Sequence, residues 1–369
     1  MCGIMLGVHS LSYFGLGYVG WGAEARRPDM AYCVVDAGID LAKYGRGGGG
    51  GRVLAEIQRV IPCETLEVRL TNTERTKRYL SQGSNEPPPA AVNKIERLLD
   101  WSAIIRRTAA ATKWAAKRGL QGVVSMLSMP PGPGPIPRYM YAHMSLWDQP
   151  NHPWYRPMLH RYLRWQLGRR LDGCTVMCNS QWLCDTFIRH GAIAKVVYPP
   201  CRINVEPSDL ERTGVVAVGR LVPKKGHDLV ARVTKQVGST CKIYGSGLPT
   251  SYGEAVVHAN ASDSDIVQAC QNAKAVMSGC HREDFGIAVV EAMAIGCIPV
   301  VPDCYGFKET VPYNELRYAP HDETEANTIL NDVLAGVYDD LVPKLVQHIQ
   351  QYSVHQFHSR IRQILDYHE

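Results

Sequence analysis

Residues 279–301 read Gly-Cys-His-Arg-Glu-Asp-Phe-Gly-Ile-Ala-Val-Val-Glu-Ala-Met-Ala-Ile-Gly-Cys-Ile-Pro-Val-Val, with two carboxylates, Glu283 and Glu291, eight positions apart. Phe285 and Gly286 form a turn, Ile287 to Ile295 a helix, Gly296 its stop, and Ile298 to Val301 a buried strand. A helix N-terminus carries unpaired N–H groups and about half a positive charge, so this one suits a phosphate, and the flanking carboxylates suit sugar hydroxyls. Glu283, Phe285, Gly286, Ile287 and Glu291 are therefore candidate ligand-binding residues.

Outward from this stretch, short apolar runs alternate with helical stretches in both halves of the chain, which argues for α/β architecture. Strands are expected at Ala31–Asp36, Leu66–Leu70, Gly122–Leu127, Arg138–Ala142, Cys174–Cys178 and Lys195–Tyr198. In the second half they fall at Gly214–Val218, Thr240–Tyr244, Ala255–His258, Ala275–Ser278 and Ile298–Val301. A long helical region spans about Ala91 to Lys117. At 369 residues the chain exceeds the size at which one core stops growing, so two domains are expected. Residues 1–205 hold 26 Lys and Arg against 14 Asp and Glu, and residues 206–369 hold 14 against 21, giving charges of +12 and −7. The basic half points toward an anionic partner. The 12 cysteines include no Cys-x₂-Cys pair and no tight Cys/His cluster, which favours reduced thiols in a cytosolic protein over disulfides or zinc.

The stretch Glu-Asp-Phe-Gly-x₄-Glu-Ala-Met-Ala-x-Gly-x-Pro-Val-Val resembles the E-x₇-E signature of family 4 retaining glycosyltransferases. Upstream, Val218-Gly219-Arg220-Leu221-Val222-Pro223-Lys224-Lys225-Gly226 resembles the family's other signature, in which an arginine and a lysine hold the donor diphosphate. The resemblance implies the GT-B fold: two Rossmann-like, doubly wound domains facing a cleft, with a C-terminal helix crossing back to the first domain. The domains would be 31–205, binding the acceptor, and 206–345, binding the nucleotide-sugar. Residues 346–369 would form the crossing helix, with Tyr352 and Phe357 as packing residues, and 1–30 an extension with a possible interfacial role. It also implies roles: Arg220 and Lys225 clamp the diphosphate, with Gly219 beside them; Glu283 lies near the donor sugar and Glu291 binds the ribose. Lys224 stands where an acidic residue is common.

Gly47 to Gly51, between a strand and an amphipathic helix bearing Val53, Leu54, Ile57 and Val60, is a strand–glycine loop–helix unit. Its glycines, Gly49 and Gly50 among them, let backbone N–H groups approach a phosphate or sugar. Gly-Gly-Gly-Gly-Gly-Arg-Val-Leu is also similar to the Gly-Gly-Gly-Gly-Glu-Arg-Val-Leu loop of the α-1,2-mannosyltransferases that extend the lipid-linked oligosaccharide, and of archaeal relatives. Tyr139–His143, Cys178–Trp182 and Val196–Cys201 resemble further segments of that subgroup. Gly51 in place of glutamate, Met-Ser after His143 and the short stretch between Gly247 and Ser264 depart from it. The resemblance implies GDP-mannose as donor, a polyprenyl-diphosphate glycan as acceptor, and His143 beside the donor sugar. A UDP-sugar donor and a non-catalytic protein binding an anionic lipid or polymer are the alternatives.

Asp263-Ser264-Asp265 matches the D-x-D pattern by which other glycosyltransferases hold a metal, but it directly precedes a helical run and reads better as a helix cap. No metal and no cofactor are therefore expected, the diphosphate being neutralised by Arg220, Lys225 and helix dipoles. Asn179-Ser180 reads as another helix cap. Trp154 to Arg170 interleaves Trp154, Tyr155, Tyr162 and Trp165 with Arg156, Arg161, Arg164, Arg169 and Arg170, which suits a lipid headgroup zone more than nucleic acid. Peripheral contact with the cytosolic face of a membrane is the corresponding expectation. Gly3 to Gly22, free of Lys, Arg, Asp and Glu, lacks both the basic start of a signal peptide and the apolar density of a spanning helix.

Overall fold

The computed structural model describes residues 17–19, 31–36, 49–67, 94–126, 129–145, 147, 156–203, 211–247, 251–259 and 261–367. In chain order the first domain contains β1 (Gly17–Val19), β2 (Tyr32–Asp36), α1 (Gly49–Val60), β3 (Cys63–Glu67), α2 (Lys94–Lys117), β4 (Gly122–Ser125), β5 (Arg138–Ala142), α3 (Arg156–Leu171), β6 (Cys174–Cys178), α4 (Gln181–Arg189) and β7 (Ile193–Val196). Its sheet runs β1-β3-β2-β4-β5-β6-β7. Every pairing is parallel except that of the edge strand β1, which runs antiparallel to β3.

The second domain follows with β8 (Val215–Val218), α5 (His227–Gln236), β9 (Cys241–Gly245), β10 (Val256–Ala259), α6 (Asp263–Asn272), β11 (Ala275–Met277), α7 (Ile287–Ala294), β12 (Ile298–Pro302), α8 (Phe307–Thr310), β13 (Arg317–Tyr318), α9 (Glu323–Leu334) and α10 (Val342–Ile349). Its all-parallel sheet has the doubly wound order β10-β9-β8-β11-β12-β13. Strand order reverses between β2 and β4 in one sheet and between β8 and β11 in the other. Crevices at the carboxyl ends of strands form at such points.

Alternation along β2 divides the first core. Cys33 and Val35 face one side of the sheet, while Tyr32 and Val34 face the other, among Val53, Leu54, Ile57 and Val60 of α1. The last helix, α11 (Val354–Leu365), completes that second layer with Phe357, Ile361 and Leu365. Phe357 meets Tyr141 edge to face, and the Tyr32 hydroxyl donates to the Leu365 carbonyl at 2.6 Å. The crossing helix is thus part of the first domain's core. Tyr352, by contrast, packs in the core of the second domain, so the two expected packing residues serve different domains.

Several boundaries differ from the sequence reading. Strand β3 begins at Cys63, opposite Tyr32, rather than at Leu66, and β7 lies two residues earlier than expected. Three of the five consecutive glycines are helical, because α1 starts at Gly49. The amide of buried Val53 needs a carbonyl four residues back, and that carbonyl belongs to Gly49. The expected extension over residues 1–30 lies outside the described residues apart from β1, which joins the first sheet.

Candidate active site between the domains

At the second domain's switch point, β8 leads into Gly219 and Arg220 and then into a turn holding Lys225. Strand β11 leads into the loop that carries Glu283. The two loops meet at Gly226 and Gly279, where a Cβ on either would stand 2.3 Å from the other's carbonyl oxygen. Only glycine permits that approach, and it brings together residues far apart in the chain: the Lys225 ammonium pairs with the Glu283 carboxylate. Burial alone would lower the Lys225 pKa, but Glu283 outweighs it and the lysine is held protonated. His227 steadies the loop through Nε2, 3.1 Å from the Arg220 carbonyl. The Arg220 side chain is exposed and takes no hydrogen bond or ion pair among the described residues.

Gly286, at φ 86°, caps α7 from the left-handed region, which sets Phe285 into the core and turns Ile287 and the helix N-terminus back toward the loop. Glu291 lies one turn along this helix.

From the first domain, α1 presents its N-terminal residues Gly49 and Gly50, and from the end of its first turn Arg52 crosses to the other domain. Arg52 Nη1 donates to Glu291 Oε1 at 2.5 Å, and Nη2 to Asp263 Oδ1 at 3.0 Å. The Arg52 and Glu291 side chains are 26% and 15% exposed, so this pair is largely shielded from water. Burial pushes the Glu291 carboxyl up, against the pull of Arg52. His143 sits just beyond β5, its ring 4.8 Å from that of Tyr141. Burial pushes its pKa down to about 4, so the imidazole is neutral at physiological pH.

Asp263-Ser264-Asp265 belongs to the start of α6, but the cap is Ser262, whose side chain and that of Asp265 form a reciprocal capping box. Asp263 is taken by Arg52. Among the described residues no group of three or more His, Cys, Asp or Glu side chains could hold a metal. Ser180 caps α4, as the sequence implies. The eleven described cysteines are free.

In the aromatic and basic segment, Tyr162 and Trp165 are exposed and Arg169 lies over the Trp165 ring, but Arg170 is buried, bonding Thr108 and Ile105. Arg164 bonds the Trp147 carbonyl. The arginine-rich face is therefore smaller than the sequence implied, because guanidinium groups find inward carbonyls. Trp154 and Tyr155 lie outside the described residues. Among those described, no helix is long and apolar enough to cross a membrane.

Sequence reasoning assigned no role to Arg52, Tyr198 or Glu309. Arg52 lies in the quoted glycine motif, but nothing local names its partner. Glu309 accepts the Gln181 amide and the Tyr198 hydroxyl across the domain boundary. Trp182 and Tyr305 meet edge to face beside it, and a cleft of about 720 Å³ opens there, lined by both together with Tyr198, Asp185, Asp303 and Glu309.

Residues 251–366 match the family model of glycosyl transferases group 1. Among solved structures, the chain is similar to a sucrose-phosphate synthase from Thermosynechococcus elongatus, at 13% identity over 91% of this chain and 98% of that one, with a TM-score of 0.65. It is also similar to the lipopolysaccharide outer core galactosyltransferase WaaB, at 14% identity over 91% and 99% of the two chains, with a TM-score of 0.62. HepE of Anabaena, solved with UDP and glucose, matches at 17% identity over 91% and 99%, with a TM-score of 0.61. No curated protein matches the sequence significantly. The fold is GT-B, and the match to the group 1 model runs from within the second domain through the crossing helix.

Proposed function

We propose that the protein is a retaining glycosyltransferase that moves a hexose from a nucleotide-sugar to a glycan acceptor. The observation that carries this reading is the convergence of Arg220, Lys225, Glu283 and the α7 N-terminus at one switch point, where a paired lysine stands next to an arginine with no partner among the described residues. As the bond from the anomeric carbon to the diphosphate breaks, negative charge grows on the leaving phosphate and positive charge on the sugar. Arg220, Lys225 and the helix N–H groups stabilise the former. Glu283 orients sugar hydroxyls once the donor draws Lys225 toward its phosphates. The neutral His143 offers a hydrogen bond to the sugar. Closure of the domains excludes water and so limits hydrolysis.

Two donors have support. The glycine motif and the segments around His143 and Tyr198 favour GDP-mannose with a lipid-linked acceptor at a membrane face; the bound UDP and glucose in HepE favour a UDP-hexose. The cleft flanked by Trp182 and Tyr305 suits an acceptor glycan, since aromatic surface and nearby carboxylates match the two faces of a sugar ring. Diphosphate neutralisation by side chains and dipoles makes the reaction independent of metal.

Turnover of GDP-mannose, UDP-glucose and UDP-N-acetylglucosamine, measured with and without EDTA, tests the proposal. One donor should be consumed in EDTA, and Glu283→Ala or Arg220→Ala should abolish its consumption. Consumption unaffected by both substitutions would refute the assignment of the site.

A further inference from the structure

Glu291 is held from the opposite domain. Its Oε1 accepts from Arg52 on α1, while among the described residues Oε2 takes no hydrogen bond. The guanidinium is bridged at the same time to Asp263 at the start of α6, so one side chain of the first domain is pinned to two helices of the second. We propose that Arg52 is a positioning residue of the donor site: it fixes the Glu291 carboxylate by one oxygen, leaves the other to receive a ligand hydroxyl, and ties α1 to the donor-binding domain. The inference rests on the reading of the cleft as a nucleotide-sugar site.

The guanidinium bridges two carboxylates with one nitrogen to each, and an ammonium at this position keeps the charge beside Glu291 while losing the bridge to Asp263. The groups facing Glu291 are Arg52 on α1, Asp263 on α6, and Arg202 and Cys201 in the connection between the domains. Burial and Asp263 oppose ionisation of Glu291 while Arg52 and Arg202 favour it, and of the two cations Arg52 is the one in contact with the carboxyl. Removing the guanidinium takes away the main group favouring the charged form, so the buried carboxyl holds its proton to higher pH than in the wild type. A protonated Glu291 is a weaker acceptor for a ribose hydroxyl.

The experiment is calorimetric titration of UDP and GDP into the full chain between pH 5.5 and 8.5, for the wild type, Arg52→Ala and Arg52→Lys, with thermal melts to confirm folding. The wild-type profile carries the titration of the nucleotide's own terminal phosphate, at about pH 6, and serves as the baseline for the variants. Arg52→Ala should bind at least about tenfold more weakly at pH 5.5, with the deficit narrowing as pH rises, and Arg52→Lys should restore most of the wild-type profile. Equal affinity and equal pH dependence in wild type and Arg52→Ala would overturn the role of Arg52 while leaving the donor site intact. A pH-independent loss that Arg52→Lys does not rescue would reduce Arg52 to a structural tie and overturn the proposal. Absence of binding by the wild type would instead remove the nucleotide-sugar reading and the inference with it.

Discussion

Glu309 in the second domain accepts the backbone N–H of Gln181, the first residue of α4 in the other domain, on both carboxylate oxygens, at 3.0 and 2.8 Å. A carboxylate at a helix N-terminus gains from the dipole and satisfies an otherwise open donor. Burial pushes this carboxyl up, so the contact is made by a group that water would otherwise solvate better. Glu309→Ala should cost about 1–2 kcal/mol and lower the melting temperature by roughly 2–8 °C. Small-angle scattering should show a wider distribution of domain separations, and an unchanged distribution would remove the clasp from the account.

Arg220→Ala isolates chemistry from folding. Its side chain is exposed and has no protein partner among the described residues, so stability should stay within about 0.5 kcal/mol of wild type. Turnover should fall by about 10² or more, as expected on losing a cation aimed at developing charge. Comparing kcat with the thermal melt decides the matter, and a large melting shift with little kinetic effect would contradict it.

Gly286→Ala places a Cβ at φ 86°, 2.5 Å from the Phe307 ring. The strain and the clash together should cost about 1–3 kcal/mol and turn the N-terminus of α7 away from the cleft. Chemical denaturation gives the stability change. Nucleotide binding should weaken beyond what partial unfolding explains.

Phe357→Ala tests the crossing helix. The ring is 2% exposed in the core of the first domain, so its loss should cost about 3–5 kcal/mol. Limited proteolysis should then cut first around α11, releasing the C-terminal residues. Equal resistance in mutant and wild type would mean that α11 is not part of that domain's cooperative unit.

His143 makes stability depend on pH. Its folded pKa is about 4 and its unfolded value 6.5, so between those values the unfolded chain binds a proton that the folded one refuses. Stability should therefore fall as pH drops from 6.5 toward 4. His143→Gln should flatten that part of a plot of unfolding free energy against pH, and an identical slope in the mutant would show that the ring titrates normally.

The sequence placed most strands within two residues because the central ones are buried on both faces and read as largely apolar runs, as Cys174–Cys178 and Arg138–Ala142 do. It missed the glycine helix start, since five glycines carry no helical signal and the helix there is imposed by the buried face that follows.

By itself the sequence determined the alternation of strands and helices, the loops that carry Arg220, Lys225 and Glu283 after their strands, and the helix that carries Glu291, because these follow from local pattern and backbone geometry. Only the tertiary structure decided that Arg52 reaches Glu291 across 239 positions of sequence, that Glu309 clasps Gln181, and that Arg170 turns inward. A charged side chain's partner is set by how two domains dock, and no local pattern in the chain encodes the distance between groups that docking alone brings within a few ångströms.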